Sequence, residues 1–314
     1  MRAVGVTEWG GPDVLQVLDL PVPEAGPGQV RIRVYAAAVN PTDTLLRDGG
    51  RAEALRDVPP PFVLGMDAAG VLDQIGPDVQ TSLQVGDPVM AVVLPAGAHG
   101  AYAEQIVVPA ESVVRAPQGT SHAEAASLLM NALTVRAALD ALDLQPGQVL
   151  AVTGAAGAVG GFAVELAKAD GLRVVADASP ADEKLVTSLG ADVVVPRGDD
   201  FGARVREVFP DGADGLVDGA LLDEHALPAV RDGGRIATVR GYQGPDADER
   251  GVTFHPVFVR DYAREQAMLD RLRQQAEQGQ VTLRVAQILP AGQAPEAHRI
   301  LEAGGTRGRL ILEF

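Results

Sequence analysis

The chain contains no cysteine. A disulfide, a thiolate zinc centre and a cysteine nucleophile are therefore excluded together. Positive charge is scarce: 26 Lys and Arg stand against 42 Asp and Glu, a formal net charge of −16. Such a surface repels nucleic-acid phosphates and anionic membranes, and no basic run offsets it. The acidic balance reads as a solubility device, and neither nucleic acid nor a membrane is expected as a partner. An anionic cofactor would then need positive groups supplied locally. No stretch of about 18 or more apolar residues is read, so no membrane span is expected. The opening residues 1–11 lack the apolar core of a signal peptide, and the expected compartment is the cytoplasm. His99, His122, His225, His255 and His298 are scattered and form no HxH or HExxH pair. Each is more simply a satisfied or exposed histidine than a metal ligand. No Gly-x-Ser-x-Gly elbow points to a serine hydrolase.

Enough remains for two domains that each bury a core, since 314 residues carry 46% hydrophobic and 22% charged side chains. Residues 1–117 look β-rich. Val30–Val34 alternates as a half-buried strand should, and Gly70–Gly76, Asp87–Val93 and Ala103–Pro109 read as further short strands. Gly and Pro punctuate them, which suggests a small barrel. From about 118 the rhythm changes. A helix-like stretch over His122–Leu142 leads into alternating strands and helices: Val149–Thr153, Val159–Ala169, Arg173–Asp177, Ala181–Leu189 and Asp192–Val195. Helix Phe201–Phe209 and strands Gly215–Asp218 and Arg235–Val239 continue the series. Alternation of this kind predicts a parallel, doubly wound α/β sheet over 118–276. The tail, 277–314, returns to strand-like text and is expected to rejoin the first domain.

Gln148–Lys168 is the most informative segment. An apolar strand runs into a turn with Gly154, Gly157 and Gly160, and an apolar-periodic helix follows. Glycines there let the backbone turn tightly and approach a pyrophosphate, and the helix then aims free N–H groups at the phosphates. A glycine triplet alone signals little; the flanking strand and helix make dinucleotide binding the expectation. Asp177 ends the second strand of the alternating region, where a carboxylate can accept hydrogen bonds from ribose hydroxyls and would repel a 2′-phosphate. It can equally be an Asp that turns a strand into a loop. Ser179, Lys184 and Arg197 are the nearby candidates for contacting a 2′-phosphate, or they are solvated surface. Asn40-Pro41-Thr42-Asp43 has the residue types of an Asx-Pro turn.

Taken in order, several segments extend over nearly the whole chain: Asn40–Asp43, Pro61–Gly70, Val85–Met90, Gly100–Glu104, Ala125–Leu129, Thr134, the glycine turn, Ser188–Asp192, Gly233–Arg235 and Gly308–Leu310. In this series the chain resembles the zinc-independent quinone oxidoreductase branch of the medium-chain dehydrogenase/reductase superfamily. The resemblance implies a GroES-like β-barrel domain, 1–117 with 277–314, and a Rossmann domain, 118–276, with an active-site cleft between them and homodimers formed through the Rossmann domains. It implies NADP(H) or NAD(H) as cofactor and no zinc. Zinc members place a cysteine near Asn40 and a Gly-His-Glu where this chain has Gly65-Met66-Asp67. Without that ligand set the implied reaction is direct hydride transfer from the reduced nicotinamide to a quinone or another electron-poor acceptor.

By the same resemblance, Asn40 and Thr134 lie at the nicotinamide end. Gly154, Ala156, Gly157, Ala158 and Val159 hold the pyrophosphate, and Gly219, Ala220 and Gly241 pass close to the nicotinamide. Tyr242, after Gly241, is the third catalytic candidate. Two departures matter. The branch's quinone reductases often carry a tyrosine where this chain has Leu45, which takes a hydroxyl away from the substrate. Its NADPH users usually lack an acid at Asp177 and carry a lysine where this chain has Asp182, so the cofactor choice stays open. Two other functions compete. An enoyl reductase of thioesters or enones would want a wide cleft with basic groups at its mouth, and Arg47, Arg51 and Arg56 are the candidates. A dinucleotide-binding protein without catalysis is the third reading.

Overall fold

The computed structural model describes residues 1–245 and 249–314. These residues form two compact units, one of Met1–Met130, Ala263–Glu277 and Leu283–Phe314, the other of Asn131–Tyr262 and Gln278–Thr282. The first unit thus takes in segments that the sequence placed in 118–276. The reason lies in packing at the end of its sheet. Helix Gln266–Glu277 lies against strand Val113–Arg115, where Gln266 Nε2 donates to the Val113 carbonyl at 3.3 Å. Glu277 accepts from the Gln118 backbone at 2.9 Å, and the Met130 N–H donates to Asp67 at 2.7 Å.

The short strands of the first unit pair as two sheets with open hydrogen-bonded paths. Arg2–Val6 is flanked by Gln16–Asp19 and Phe62–Val63 in a three-stranded sheet. The larger, seven-stranded sheet runs Val285–Pro290, Arg309–Glu313, Gln29–Ala38, Asp67–Ile75, Pro88–Val92 and Val113–Arg115, with Gln105–Pro109 also on Gln29–Ala38. Gln29–Ala38 explains why the small barrel expected from the strand count takes this form. One of its edges pairs with Asp67–Ile75 over most of its length. The other is shared: Gln105–Pro109 takes residues 29–33 and the C-terminal strand takes 36–38. The alternation read at Val30–Val34 is the alternation of burial here, with Val30, Ile32 and Val34 in the core beside Leu72, Ile106 and Leu312. The tail supplies two strands, as expected, and also helix Ala294–Ala303, which the strand-like reading missed.

The second unit is built on six parallel strands in the order Val193–Pro196, Arg173–Ala178, Val149–Thr153, Ala213–Asp218, Val230–Thr238 and Thr253–Pro256. A parallel sheet buries both faces, which is why Val149–Thr153 is apolar at nearly every position and buried throughout. The doubly wound reading holds, with boundaries moved by a few residues; the helix expected over Ala181–Leu189, for example, is Glu183–Ser188. The chain leaves Val149–Thr153 for two strands on one side, then crosses to Ala213–Asp218 on the other. The switch point of the sheet therefore lies between these two strand ends, the position where open α/β sheets bind ligands. One helical stretch among the described residues, His122–Leu142, is long and apolar enough to cross a membrane, although Glu124, Arg136 and Asp140 interrupt it. Of its most apolar window 83% is buried inside the protein, as in a core helix.

Candidate functional site

The glycine turn stands at the switch point. Gly154 takes φ +66°, which only glycine adopts without cost, and helix Ala158–Ala169 starts four residues later. A Cβ at Gly160 would come within 2.3 Å of the Gly154 carbonyl oxygen, and one at Gly154 within 3.0 Å of Gly219. The glycines are thus demanded by the close approach of helix, turn and neighbouring strand end. Gly157 caps the helix without any side-chain hydrogen bond. The first-turn N–H groups of Ala158 and Val159, both partly exposed, have no earlier turn to bond to and suit an anion.

Beside the turn, the Asp177 carboxylate is 4% exposed. Its Oδ1 accepts from the Ala155 N–H at 3.0 Å, and its Oδ2 accepts from Arg197 Nε at 3.0 Å. The Ser179 hydroxyl donates to Asp182 at 2.6 Å, and Asp182 is buried. Lys184 is exposed on the helix that follows. The pairing of Asp177 with Arg197 is not legible in the sequence, because the two meet only once their strands lie side by side.

On the other side of the turn, Thr153 and Asp218 lock the two strand ends together. The Thr153 hydroxyl donates to Asp218 at 2.7 Å and accepts from the Ala220 N–H at 3.0 Å. Asp218 also accepts from the Asp223 N–H at 2.8 Å. This fixes Gly219 and Ala220 against Gly154. Gly241 (φ +83°) lies past the end of Val230–Thr238, and the following Tyr242 ring meets Phe254 edge-on at 5.3 Å. Partial desolvation and the nearby Glu224 and Asp223 carboxylates push the Tyr242 phenol above its ordinary value. Thr134, half-buried, belongs to the same unit, on helix Leu129–Leu142.

Asn40 belongs to the first unit and is 2% exposed. It caps helix Pro41–Arg47 in a capping box with Asp43. Its side-chain amide donates to the Ala38 carbonyl at 3.3 Å and to Asp67 at 3.0 Å, and accepts from Arg309 at 2.8 Å. Arg309 also pairs with Asp67 at 3.0 Å, with side chains 4% and 1% exposed, while its Nη1 is buried with no partner among the described residues. Burial raises the Asp67 carboxyl, opposed chiefly by Arg309.

Asp43 heads a second chain of buried groups. It accepts from the N–H groups of Asn40 and Gly65 at 2.8 and 3.0 Å and from the Tyr102 hydroxyl at 3.0 Å. Burial nevertheless pushes its carboxyl up to about 6. The Tyr102 hydroxyl lies 3.5 Å from His298 Nε2, and Arg47 Nη1 lies 3.4 Å from His298 Nδ1. A guanidinium can only donate, so Nδ1 accepts and Nε2 carries the proton toward Tyr102. Burial, with the Arg47 charge beside it, pushes His298 down to about 3. Arg47 itself is buried and bonded to Glu302 at 2.6 Å and to the Gly10 carbonyl at 3.0 Å. It is no mouth residue, which corrects that expectation. Arg56 is exposed and pairs with Glu53 at 2.8 Å. The contacts of Tyr102, His298 and Arg309 are not legible in the sequence because their partners are remote along the chain.

The donor set for a catalytic zinc does not fit. Met66 offers a thioether where a metal would need an imidazole, its neighbour Asp67 is spent on Arg309, Asn40 and the Met130 N–H, and no thiol exists. Among the described residues no three His, Asp or Glu side chains gather as a metal site.

Residues 26–118 match the model of the alcohol dehydrogenase GroES-like domain, and residues 189–312 that of the zinc-binding dehydrogenase family. A quinone oxidoreductase of Pseudomonas aeruginosa is 30% identical over 99% of both chains. The 2-methylene-furan-3-one reductase of Solanum lycopersicum is 30% identical over 99% of this chain and 79% of its own. Among solved structures, an NAD-dependent alcohol dehydrogenase superposes with a TM-score of 0.88 at 32% identity over the full length of both chains. A mycobacterial protein complexed with NADPH superposes with a TM-score of 0.85 at 28% identity, again over both full chains.

Proposed function

The chain belongs to the medium-chain dehydrogenase/reductase superfamily and is an oxidoreductase; on that premise we propose that it is a zinc-independent, NAD(P)H-dependent reductase of quinones and similarly electron-poor acceptors. The observation that carries the reading is the glycine turn at the switch point. Its three glycines cannot bear side chains without displacing backbone or neighbours, and the helix behind it is capped by no side chain. Gly154, Ala156, Gly157, Ala158 and Val159 are assigned to the pyrophosphate. Gly219, Ala220 and Gly241, with Thr134 and Tyr242, are assigned to the nicotinamide end. Asn40, whose amide is spent on Ala38, Asp67 and Arg309, is assigned to positioning the turn it caps.

A reduced nicotinamide dinucleotide, when bound, supplies the hydride. The protein contributes position and the exclusion of water. A quinone that accepts a hydride leaves a quinol anion, which water can protonate, so no side chain is required as acid. Alcohol oxidation differs, because it wants a Lewis acid to stabilise an alkoxide, and Met66 and the missing thiols leave none in the usual place. Enones form the second acceptor class. The Solanum relative is by name a reductase of a 2-methylene-furan-3-one, and an enone β-carbon accepts hydride by the same geometry. Of the basic residues a thioester reductase would use at its mouth, Arg47 is buried and ion-paired within the first unit, while Arg51 and Arg56 are exposed. We also propose a homodimer: among the described residues strand Thr253–Pro256 is paired on one side only, which leaves a sheet edge for a second copy.

An acceptor panel tests the function. Phenanthrenequinone, methyl vinyl ketone, crotonyl thioester and a simple alcohol would be compared with both reduced dinucleotides. Turnover with the quinone or the enone and none with the alcohol is expected. A preference for the thioester, or turnover of the alcohol alone, would overturn the reading.

A further inference from the structure

We propose that Arg197, held in place by Asp177, selects a dinucleotide carrying a 2′-phosphate. The proposal rests on the reductase reading above and deepens it by naming the cofactor class and the residue that chooses it. In the sequence, Asp177 points the other way, as a carboxylate waiting for ribose hydroxyls. Such a carboxylate has to be reachable, and this one is not. It is 4% exposed, with one oxygen turned onto the Ala155 N–H of the glycine turn and the other onto Arg197 Nε.

Arg197 is anchored from below and open above. It follows strand Val193–Pro196, and its backbone N–H donates to the Ala178 carbonyl at 2.8 Å. Its side chain is 46% exposed, bonded through Nε, and the Nη end has no hydrogen-bond partner among the described residues. The bonds Ala155–Asp177–Arg197 therefore tie a guanidinium to the phosphate-binding turn itself. A guanidinium with both NH2 groups free is the side chain best shaped for a phosphate oxygen pair. The Asp177–Arg197 pair is neutral overall, with its carboxylate on the buried side and its guanidinium facing outward. Asp177 is in this sense a positioning residue.

The surrounding charges are mixed. Asp182 is buried and takes the Ser179 hydroxyl, and Asp200 pairs with Arg204 at 2.7 Å. Glu183 and Asp199 are exposed, and Lys184 adds an exposed cation. The Ser179 proton is already given to Asp182, so Ser179 is not the donor a phosphate needs. Selectivity then falls on Arg197, the cation tied through Asp177 to the glycine turn.

Calorimetric binding tests this without turnover. The ligands are NADPH, NADH, 2′-phospho-ADP-ribose and ADP-ribose, each titrated into the full-length wild type, Arg197→Gln, Arg197→Lys, Asp177→Asn and Lys184→Gln. The wild type is expected to bind each phosphorylated ligand at least about tenfold more tightly than its partner. Arg197→Gln removes about tenfold of that ratio, with NADH affinity held or improved. Arg197→Lys restores part of it. Asp177→Asn lowers the ratio while the melting temperature of the variant reports its fold, and a misfolded protein would lose both ligands together. Lys184→Gln changes the ratio less than Arg197→Gln does. A wild type that prefers NADH, or a ratio indifferent to Arg197→Gln, overturns the proposal and leaves the reductase standing. Binding of neither dinucleotide overturns both.

Discussion

In the first unit the polar groups below the Asn40 turn are spent on one another, whereas along the carboxyl edge of the second unit they are anchored at one end and open at the other. Asp67 is closed off by Arg309, Asn40 and a backbone N–H, and Asp43 by Tyr102 and two more. Those side chains are nearly inaccessible, so their chemistry is structural: they hold strand ends and a capped helix together. Asp177 is just as buried, but its partner Arg197 reaches solvent, and the helix at Gly157 begins without a side-chain cap. A polar cluster saturated but for Arg309 Nη1 builds a unit; a half-saturated one is where a ligand completes the bonding. Motif resemblance alone gave both regions the same standing.

The comparison is broken most forcefully at Arg309. Replacing it with Met leaves Asp67 buried without its counter-charge, which costs about 3–5 kcal/mol. Denaturant unfolding of the variant would measure this, and a loss below about 1 kcal/mol would mean that the cluster is not the lock described here. Gly160→Ala attacks the open region. Its Cβ would sit 2.3 Å from a backbone oxygen, so the turn must shift, at about 1–3 kcal/mol in stability. Dinucleotide affinity is expected to fall at least about tenfold; equal affinity with a wild-type melting temperature would remove the turn from the site.

A subtler break uses pH. His298 has its pKa depressed from 6.5 to about 3, so acidification through that window favours the unfolded state, which binds the proton. Asp43 is raised from 3.8 to about 6, so the native state binds its proton first, and acidification through that window favours folding. Each slope is at most about 1.4 kcal/mol per pH unit, and the two cancel between about pH 6 and 4. His298→Gln removes one side of the balance. Its stability relative to wild type is expected to rise by up to about 2 kcal/mol as pH falls through that window. A difference independent of pH would show that the pair is not coupled to folding in this way. Smallest is Arg56→Gln, an exposed pair whose loss should cost no more than about 0.5 kcal/mol and leave acceptor preference unchanged. A selective loss of thioester turnover would reopen the enoyl reading.

The parts of the fold that a local pattern encodes were legible. Val149–Val152 is a continuous apolar run, and its shortness, β-branched residues and following glycines mark it as a buried strand entering a tight turn. Val30–Val34 marks strand Gln29–Ala38 by its alternation, which Ala36–Ala38, small and apolar, does not continue. Helices Gln266–Glu277 and Ala294–Ala303 were missed in text that looked strand-like or featureless. In the site, the glycines and Asp177 were placed by spacing, since both belong to one strand–turn–helix–strand unit. The direction of the Asp177 carboxylate was not, because it depends on Arg197 from the next strand. Arg309 and His298 act on residues more than 190 positions away, and no local signal carries such a contact.

The most direct test of the account is oxidation of NADPH and of NADH with phenanthrenequinone after exhaustive treatment with a metal chelator, with the metal content of the protein measured alongside. A zinc-independent reductase predicts turnover that survives chelation in protein without bound zinc. Loss of turnover on chelation and recovery with added zinc would contradict it.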